Sequence, residues 1–174
     1  AKVDGRPGDN DAEMHSIALE KGFDFDLPEK VHSEAKKINQ AKITEKDYAG
    51  RRDFRKVLTF TIDPADAKDF DDAISFVELG KNLFEVGIHI ADVSYYVRPG
   101  SELDHEAQER ATSVYLVDRT IPMLPEILSN DLCSLVPNQD RLTMSAVFEV
   151  DTEGKVHKEW YGRTVIHSQK RFTY

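Results

Sequence analysis

One cysteine, Cys133, stands among 174 residues. An intrachain disulfide is therefore excluded, and a reducing, cytoplasmic setting with no disulfide-linked partner is expected. Cys133 lies in the apolar stretch L-C-S-L-V and reads as a buried structural thiol rather than a nucleophile. No apolar run approaches the ~18 residues of a membrane span, and the opening stretch is not signal-like, so no membrane partner is expected. Positive charge is also scarce: 23 Lys and Arg face 32 Asp and Glu, for a net charge of −9. Taken alone, that balance argues against a nucleic-acid binder, because phosphate affinity needs Lys and Arg. Any nucleic-acid contact would need its attraction from local patches, from bound metal or from elsewhere. There are no internal repeats and no low-complexity segment. A hydrophobic fraction of 40% and a charged fraction of 32% suit one globular domain with a sizeable core. The chain opens at Ala1 without Met and stops at R-F-T-Y, from which a piece of a longer protein is expected.

What the chain has in excess is aspartate, in one place. T-I-D-P-A-D-A-K-D-F-D-D-A, from Thr61 to Ala73, carries Asp63, Asp66, Asp69, Asp71 and Asp72 against a single Lys68. Apolar runs, Val57 to Ile62 and Ala73 to Leu79, flank it, so the acids sit on a connection between two strands. Two unit charges ~4 Å apart repel by ~1 kcal/mol in water and ~4 kcal/mol at an effective dielectric of ~20. Crowding five is costly unless cations share the site or the side chains splay apart. Carboxylate oxygens are hard donors suited to Mg²⁺ or Mn²⁺. The bland alternative is a solvated acidic turn. Against it, Pro64 biases Asp63 toward an extended backbone, and Phe70 would pin the loop if buried. An EF-hand is excluded: counted from Asp63, the sixth position is Lys68 rather than Gly and the twelfth is Ile74 rather than Glu.

Elsewhere the pattern predicts an α+β fold on an antiparallel β-sheet with flanking helices. Residues 1–10 read as an arriving linker. A first helix is expected over Ala12 to Lys21, capped by Asp9 or Asn10 and closed by Gly22. A second is expected from Pro28 to about Gln40. Residues 44–55 read as charged and irregular; Arg51, Arg52, Arg55 and Lys56 are either partners of nearby acids or contacts for a phosphate backbone. Leu58, Phe60 and Ile62 share a face, as do Ile74 and Phe76. Phe84, Val86, Ile88 and Ile90 alternate most cleanly. Gly80 to Asn82 make a hairpin turn. His89, opposite Val86 and Ile88, is either a hydrogen-bonded structural residue or a site residue, and Asp92 is a candidate to support the site from behind. Ser101 should cap a helix to about Ala111 that buries Leu103 and Ala107. A short helix is expected near Pro125 to Leu132, and strands over Leu142 to Val150 and Val156 to His167.

These residues carry a resemblance. R-R-D-F-R from Arg51, the aspartate run, E-V-G-I-H-I-A-D-V-S-Y-Y-V, A-T-S-V-Y-L and I-P-M-L-P-E-I-L-S-N-D-L-C-S-L resemble, in order, the catalytic signature of the ribonuclease II/ribonuclease R (RNB) family, on the ribonuclease R side. The likeness is close from about Gly50 to Tyr174. It implies a hydrolytic 3′-to-5′ exoribonuclease that uses Mg²⁺ (Mn²⁺ possible) and releases nucleoside 5′-monophosphates from single-stranded RNA. Asp63, Asp69, Asp71 and Asp72 match the family's catalytic aspartates one by one. Asp63, Asp69 and Asp72 are then expected as metal ligands, and Asp71 as a ligand or as the group orienting the attacking water. Asp66 falls outside the set. Tyr115 matches the family tyrosine that stacks on nucleotides near the 3′ end; alternation alone leaves it open between core and surface. Residues 1–49 would be a helical connector from an upstream RNA-binding barrel region, and 50–174 the N-terminal part of the catalytic domain. A second aromatic clamp, an arginine on the phosphate and a glutamate near the scissile bond would lie downstream in that family, so this chain alone is expected to be inactive. Rival readings are a metal-dependent phosphodiesterase on another substrate, a non-catalytic metal- or RNA-binding module, and an acidic structural module without metal.

Overall fold

Two helices lead into a sheet in the computed structural model, which describes residues 5, 6 and 8–174. The linker read over residues 1–10 lies partly outside the described residues. Helix α1 (Asn10–Glu20) follows Asp9 and closes at Gly22, whose φ of +85° suits glycine. Helix α2 (Glu29–Gln40) starts after Pro28. Then come α3 (Glu45–Tyr48), β1 (Arg52–Phe54), β2 (Thr59–Asp63), β3 (Asp72–Gly80), β4 (Leu83–Ala91), α4 (Val93–Tyr96) and α5 (Glu102–Arg110). The strands β5 (Val114–Tyr115) and β6 (Thr120–Ile121) form a small separate sheet. A π-helical turn at Leu128–Leu132, β7 (Asp140–Asp151), β8 (Val156–His167) and β9 (Lys170–Thr173) complete the chain.

The main sheet has seven strands in the order β1-β8-β7-β4-β3-β2-β9. Its middle is antiparallel, as alternation predicts, through β2–β3, β3–β4, β4–β7 and β7–β8. Its margins are parallel: β1 lies along β8 and β9 along β2, so the sheet is mixed. Both marginal strands are short and charged, R-D-F and K-R-F-T, and carry too few residues for alternation to register. Parallel partners also need long crossovers, which local sequence does not announce. The segment expected to be irregular at 44–55 contains both α3, opened by a Thr44–Asp47 capping box, and β1.

The face turned to the helices is small and polar. Thr59 and Thr61 of β2, Ser75 of β3, His89 of β4, Thr143 and Ser145 of β7 and Thr164 of β8 are all buried there. His89 Nδ1 pairs with Ser145 Oγ at 2.7 Å and Nε2 with Ser75 Oγ at 2.9 Å; Ser145 continues to Thr164. His89 is thus the structural histidine. A Cβ on Gly87 would collide with Ser75 Oγ and His89 Nε2, so only glycine leaves room for that seam. Burial, with Arg52's charge as a lesser cause, pushes His89 down to about 4. The regular apolar stripe points the other way: Leu58, Ile62, Phe76, Ile88, Ile90, Met144 and Phe172 are exposed on the outer face.

The core forms between the small inner face and the helices. Val31 and Ala35 of α2 and Leu103 of α5 join Phe54, Phe70, Ala73, Ala91, Leu128, Leu135, Val147 and Ile166 in one cluster. Ser101 Oγ accepts from Asp104 N at 3.1 Å, the expected N-cap of α5. Cys133 is buried in the same cluster, and that burial pushes its thiol up to about 12, which leaves it a poor nucleophile.

Candidate active site

Strand β2 delivers Asp63 at its last position, and β3 begins at Asp72. Between them Ala67 N donates to Pro64 O at 3.1 Å, a tight turn directly after Asp63. Phe70 then dives into the core. Its N–H donates to Ser134 Oγ at 3.0 Å, and its carbonyl accepts from Leu135 N at 2.8 Å. Ala91 N, at the end of β4, donates to Asp71 O at 3.1 Å. The backbone of the aspartate loop is therefore held at Phe70 and Asp71 by two neighbouring segments. This is the pinning expected of Phe70.

The side chains are treated in the opposite way. Among the described residues, none of Asp63, Asp69, Asp71 and Asp72 has a hydrogen-bonded or ion-paired carboxylate. Asp63 is only 9% exposed, and its Oδ2 is a buried acceptor with no partner. Such an atom ordinarily finds a donor or a cation. Partial burial raises the pKa of Asp71, and the charges of Asp69, Asp72 and Asp63 add to the rise. Four carboxylates, one with an orphan buried oxygen, fit a hard divalent cation by donor chemistry. Among the described residues no three His, Cys, Asp or Glu side chains are gathered closely enough to hold a metal ion. The four are thus a set of donors on one pinned loop rather than a closed cage. Asp66 is exposed at the tip of the turn and outside the set.

Tyr115 lies on the separate β5–β6 hairpin, across from Thr120. Tyr115 is 71% exposed, while neighbouring Val114 pairs with the buried Ile121. The core alternative for Tyr115 is excluded. The three arginines before β2 are paired with acids, while Lys56 is exposed and makes no ion pair among the described residues. Arg51 Nη2 meets Asp92 Oδ2 at 2.6 Å with both side chains buried, and its Nη1 donates to the carbonyls of Thr143 and Thr164. Arg52 pairs with Glu85, and Arg55 with Asp53 and Asp140. Asp92 follows Ala91, whose N–H donates to Asp71 O, and is itself anchored by Arg51.

Two residues that hold the loop escape a reading of the sequence. Ser134 receives the Phe70 N–H, and Arg171 of β9 reaches the turn after Asp63. Both lie more than sixty positions from the aspartates, and neither carries a local pattern that marks it.

The RNB domain family model matches residues 51–174. The chain is 52% identical over 149 residues to Ribonuclease R of Thermotoga maritima, covering 86% of this chain and 21% of that protein. It is 47% identical over 171 residues to DIS3-like exonuclease 2 of Xenopus tropicalis, covering 98% of this chain and 20% of that one. A solved structure of Mycoplasma genitalium RNase R in complex with ribose methylated single-stranded RNA matches with a TM-score of 0.90 at 32% identity, over 100% of this chain and 27% of that one. The chain therefore spans about a fifth of the two curated relatives.

Proposed function

This chain belongs to the RNB family, and on that premise we propose that it is the aspartate-bearing part of a hydrolytic 3′-to-5′ exoribonuclease. Its substrate would be single-stranded RNA, its products nucleoside 5′-monophosphates, and its setting the cytoplasm. The observation that carries the reading is the pinned loop whose four carboxylates, including the buried Asp63 Oδ2, have no partner among the described residues.

In this reading Asp63, Asp69 and Asp72 hold Mg²⁺, with Mn²⁺ as a substitute. One or two such ions would supply Lewis acidity there, making a bound water more acidic and countering charge on the leaving 3′-oxygen. Asp71 either joins the ligands or orients the attacking water toward the phosphorus. The backbone bonds at Phe70 and Asp71 keep the carboxylates from retreating from one another. Tyr115 offers its exposed ring as a stacking platform near the 3′ end, worth ~1–3 kcal/mol and indifferent to base identity. Residues 1–49 serve as a helical connector and 50–174 as the first part of the catalytic domain. The connector is not loose, since Val31 and Ala35 of α2 sit in the domain core. The chain alone is proposed to be inactive: the relatives are several times longer, and Arg51, Arg52 and Arg55, cations that could counter a transition state's charge, are paired with acids. Removing one preorganised stabilising donor can cost ~10²–10³ in rate.

The test is release of 5′-monophosphates from a 3′-hydroxyl oligoribonucleotide in Mg²⁺, by this chain and by a chain extended to the length of its relatives. The extended chain should degrade RNA and spare the deoxyribose oligomer, and the 174-residue chain should release nothing measurable. Equal attack on both oligomers would favour a phosphodiesterase for another substrate. Metal binding without hydrolysis by the extended chain would favour a non-catalytic module.

A further inference from the structure

β9 runs parallel to β2, with Arg171 across from Thr61 and Thr173 across from Asp63. From there the Arg171 side chain spans the aspartate loop. Its Nη2 donates to Pro64 O at 2.6 Å and to Ala65 O at 2.9 Å. Its guanidinium carbon lies 4.7 Å from the centroid of the Phe70 ring. One side chain thus grips the turn just after Asp63 and the apolar residue just before Asp71. A planar guanidinium can stack on a ring while its in-plane N–H groups reach carbonyls; a lysine ammonium can reach carbonyls but cannot lie flat on the ring. The loop needs such a grip, because four like charges with no ion-paired partner among the described residues push its two ends apart.

We propose that Arg171 is a positioning residue that sets the mutual placement of Asp63, Asp69, Asp71 and Asp72 for a divalent cation. The cation half of this proposal rests on the metal reading above; the loop-holding half does not. It acts through backbone carbonyls and a ring, and no ion pair joins it to the four aspartates among the described residues. Its effect should therefore appear in loop order and in cation affinity.

The experiment uses this chain, Mn²⁺ as the probe and three variants: Arg171→Met, Arg171→Lys and, as a control destabilised elsewhere, Ser101→Ala at the α5 N-cap. Amide exchange in metal-free protein is read at Ala67 and Phe70, the loop N–H groups bonded to Pro64 O and Ser134 Oγ. Two charge-assisted hydrogen bonds are lost in Arg171→Met, so both amides should exchange about tenfold faster, or more, relative to strand amides such as Val86. Mn²⁺ affinity, by calorimetry and electron paramagnetic resonance, should fall about tenfold in Arg171→Met and less in Arg171→Lys. Ser101→Ala should change neither quantity. Unchanged loop exchange in Arg171→Met, or an equal change in Ser101→Ala, would overturn the proposal. Absence of Mn²⁺ binding by the unaltered chain would overturn the metal reading and the cation half with it, while the exchange measurement would still decide whether Arg171 holds the loop.

Discussion

Asp63 ends β2, Asp92 directly follows β4, and both are buried, yet their carboxylates are treated oppositely. Asp92 accepts from Arg51 Nη2 at 2.6 Å and from Ser94 Oγ at 2.7 Å. Burial pushes its pKa up, but Ser94, Arg51 and Arg163 outweigh that and hold it below the usual range. Asp63 Oδ2 has no partner among the described residues. A buried carboxylate with its acceptor sites filled belongs to the fold, because removing its partner strands a charge. A buried carboxylate left open on a pinned backbone is what the proposed cation would need. The same division runs through the sheet: His89 is satisfied by two serines, while the aspartate loop spends its hydrogen bonds on backbone and leaves its side chains open.

The largest test of this division is Asp71→Asn in a chain extended to the length of its relatives. Asn keeps the shape and removes the charge, so hydrolysis should fall by at least about 10²–10³-fold with RNA affinity retained. Near-normal turnover would place Asp71 among the fold-supporting acids. Next in size is a pair of variants of this chain, compared by urea denaturation. Arg51→Met strands Asp92 and should cost about 3–5 kcal/mol. Asp63→Asn should leave stability within about 1 kcal/mol of the original, or raise it by easing repulsion, while weakening Mn²⁺ binding. A large loss of stability in Asp63→Asn would erase the contrast.

The smallest effect concerns pH. His89 titrates near 4 in the folded chain and near 6.5 when unfolded. As pH falls, the unfolded chain takes the proton first, so His89 favours the fold above pH ~6.5, and that contribution is lost as pH drops toward ~4. The unfolding free energy should decline over that window with a slope of up to about 1.4 kcal/mol per pH unit. His89→Gln should flatten it; an unchanged slope in that variant would show that other groups carry it.

Local pattern reached far in this chain. The aspartates between apolar runs marked a loop between strands, Pro64 and Phe70 marked how it would be shaped and pinned, and Ser101 marked the start of α5, because each signal lies within a few residues of its effect. The period-two stripe of Val86, Ile88 and Ile90 located β4 as well. Alternation says that two sets of residues face apart, not which set meets the helices, and here the small and polar set turned inward. The parallel strands β1 and β9, the Arg51–Asp92 pair, the Ser134 bond to Phe70 and the Arg171 grip on Pro64 and Ala65 join residues dozens to more than a hundred positions apart. Short-range propensity fixed the donors and the loop that carries them. Which carboxylates are satisfied and which stay open was decided only when distant segments closed around that loop, since a hydrogen-bond partner supplied from across the fold leaves no trace in the neighbouring sequence.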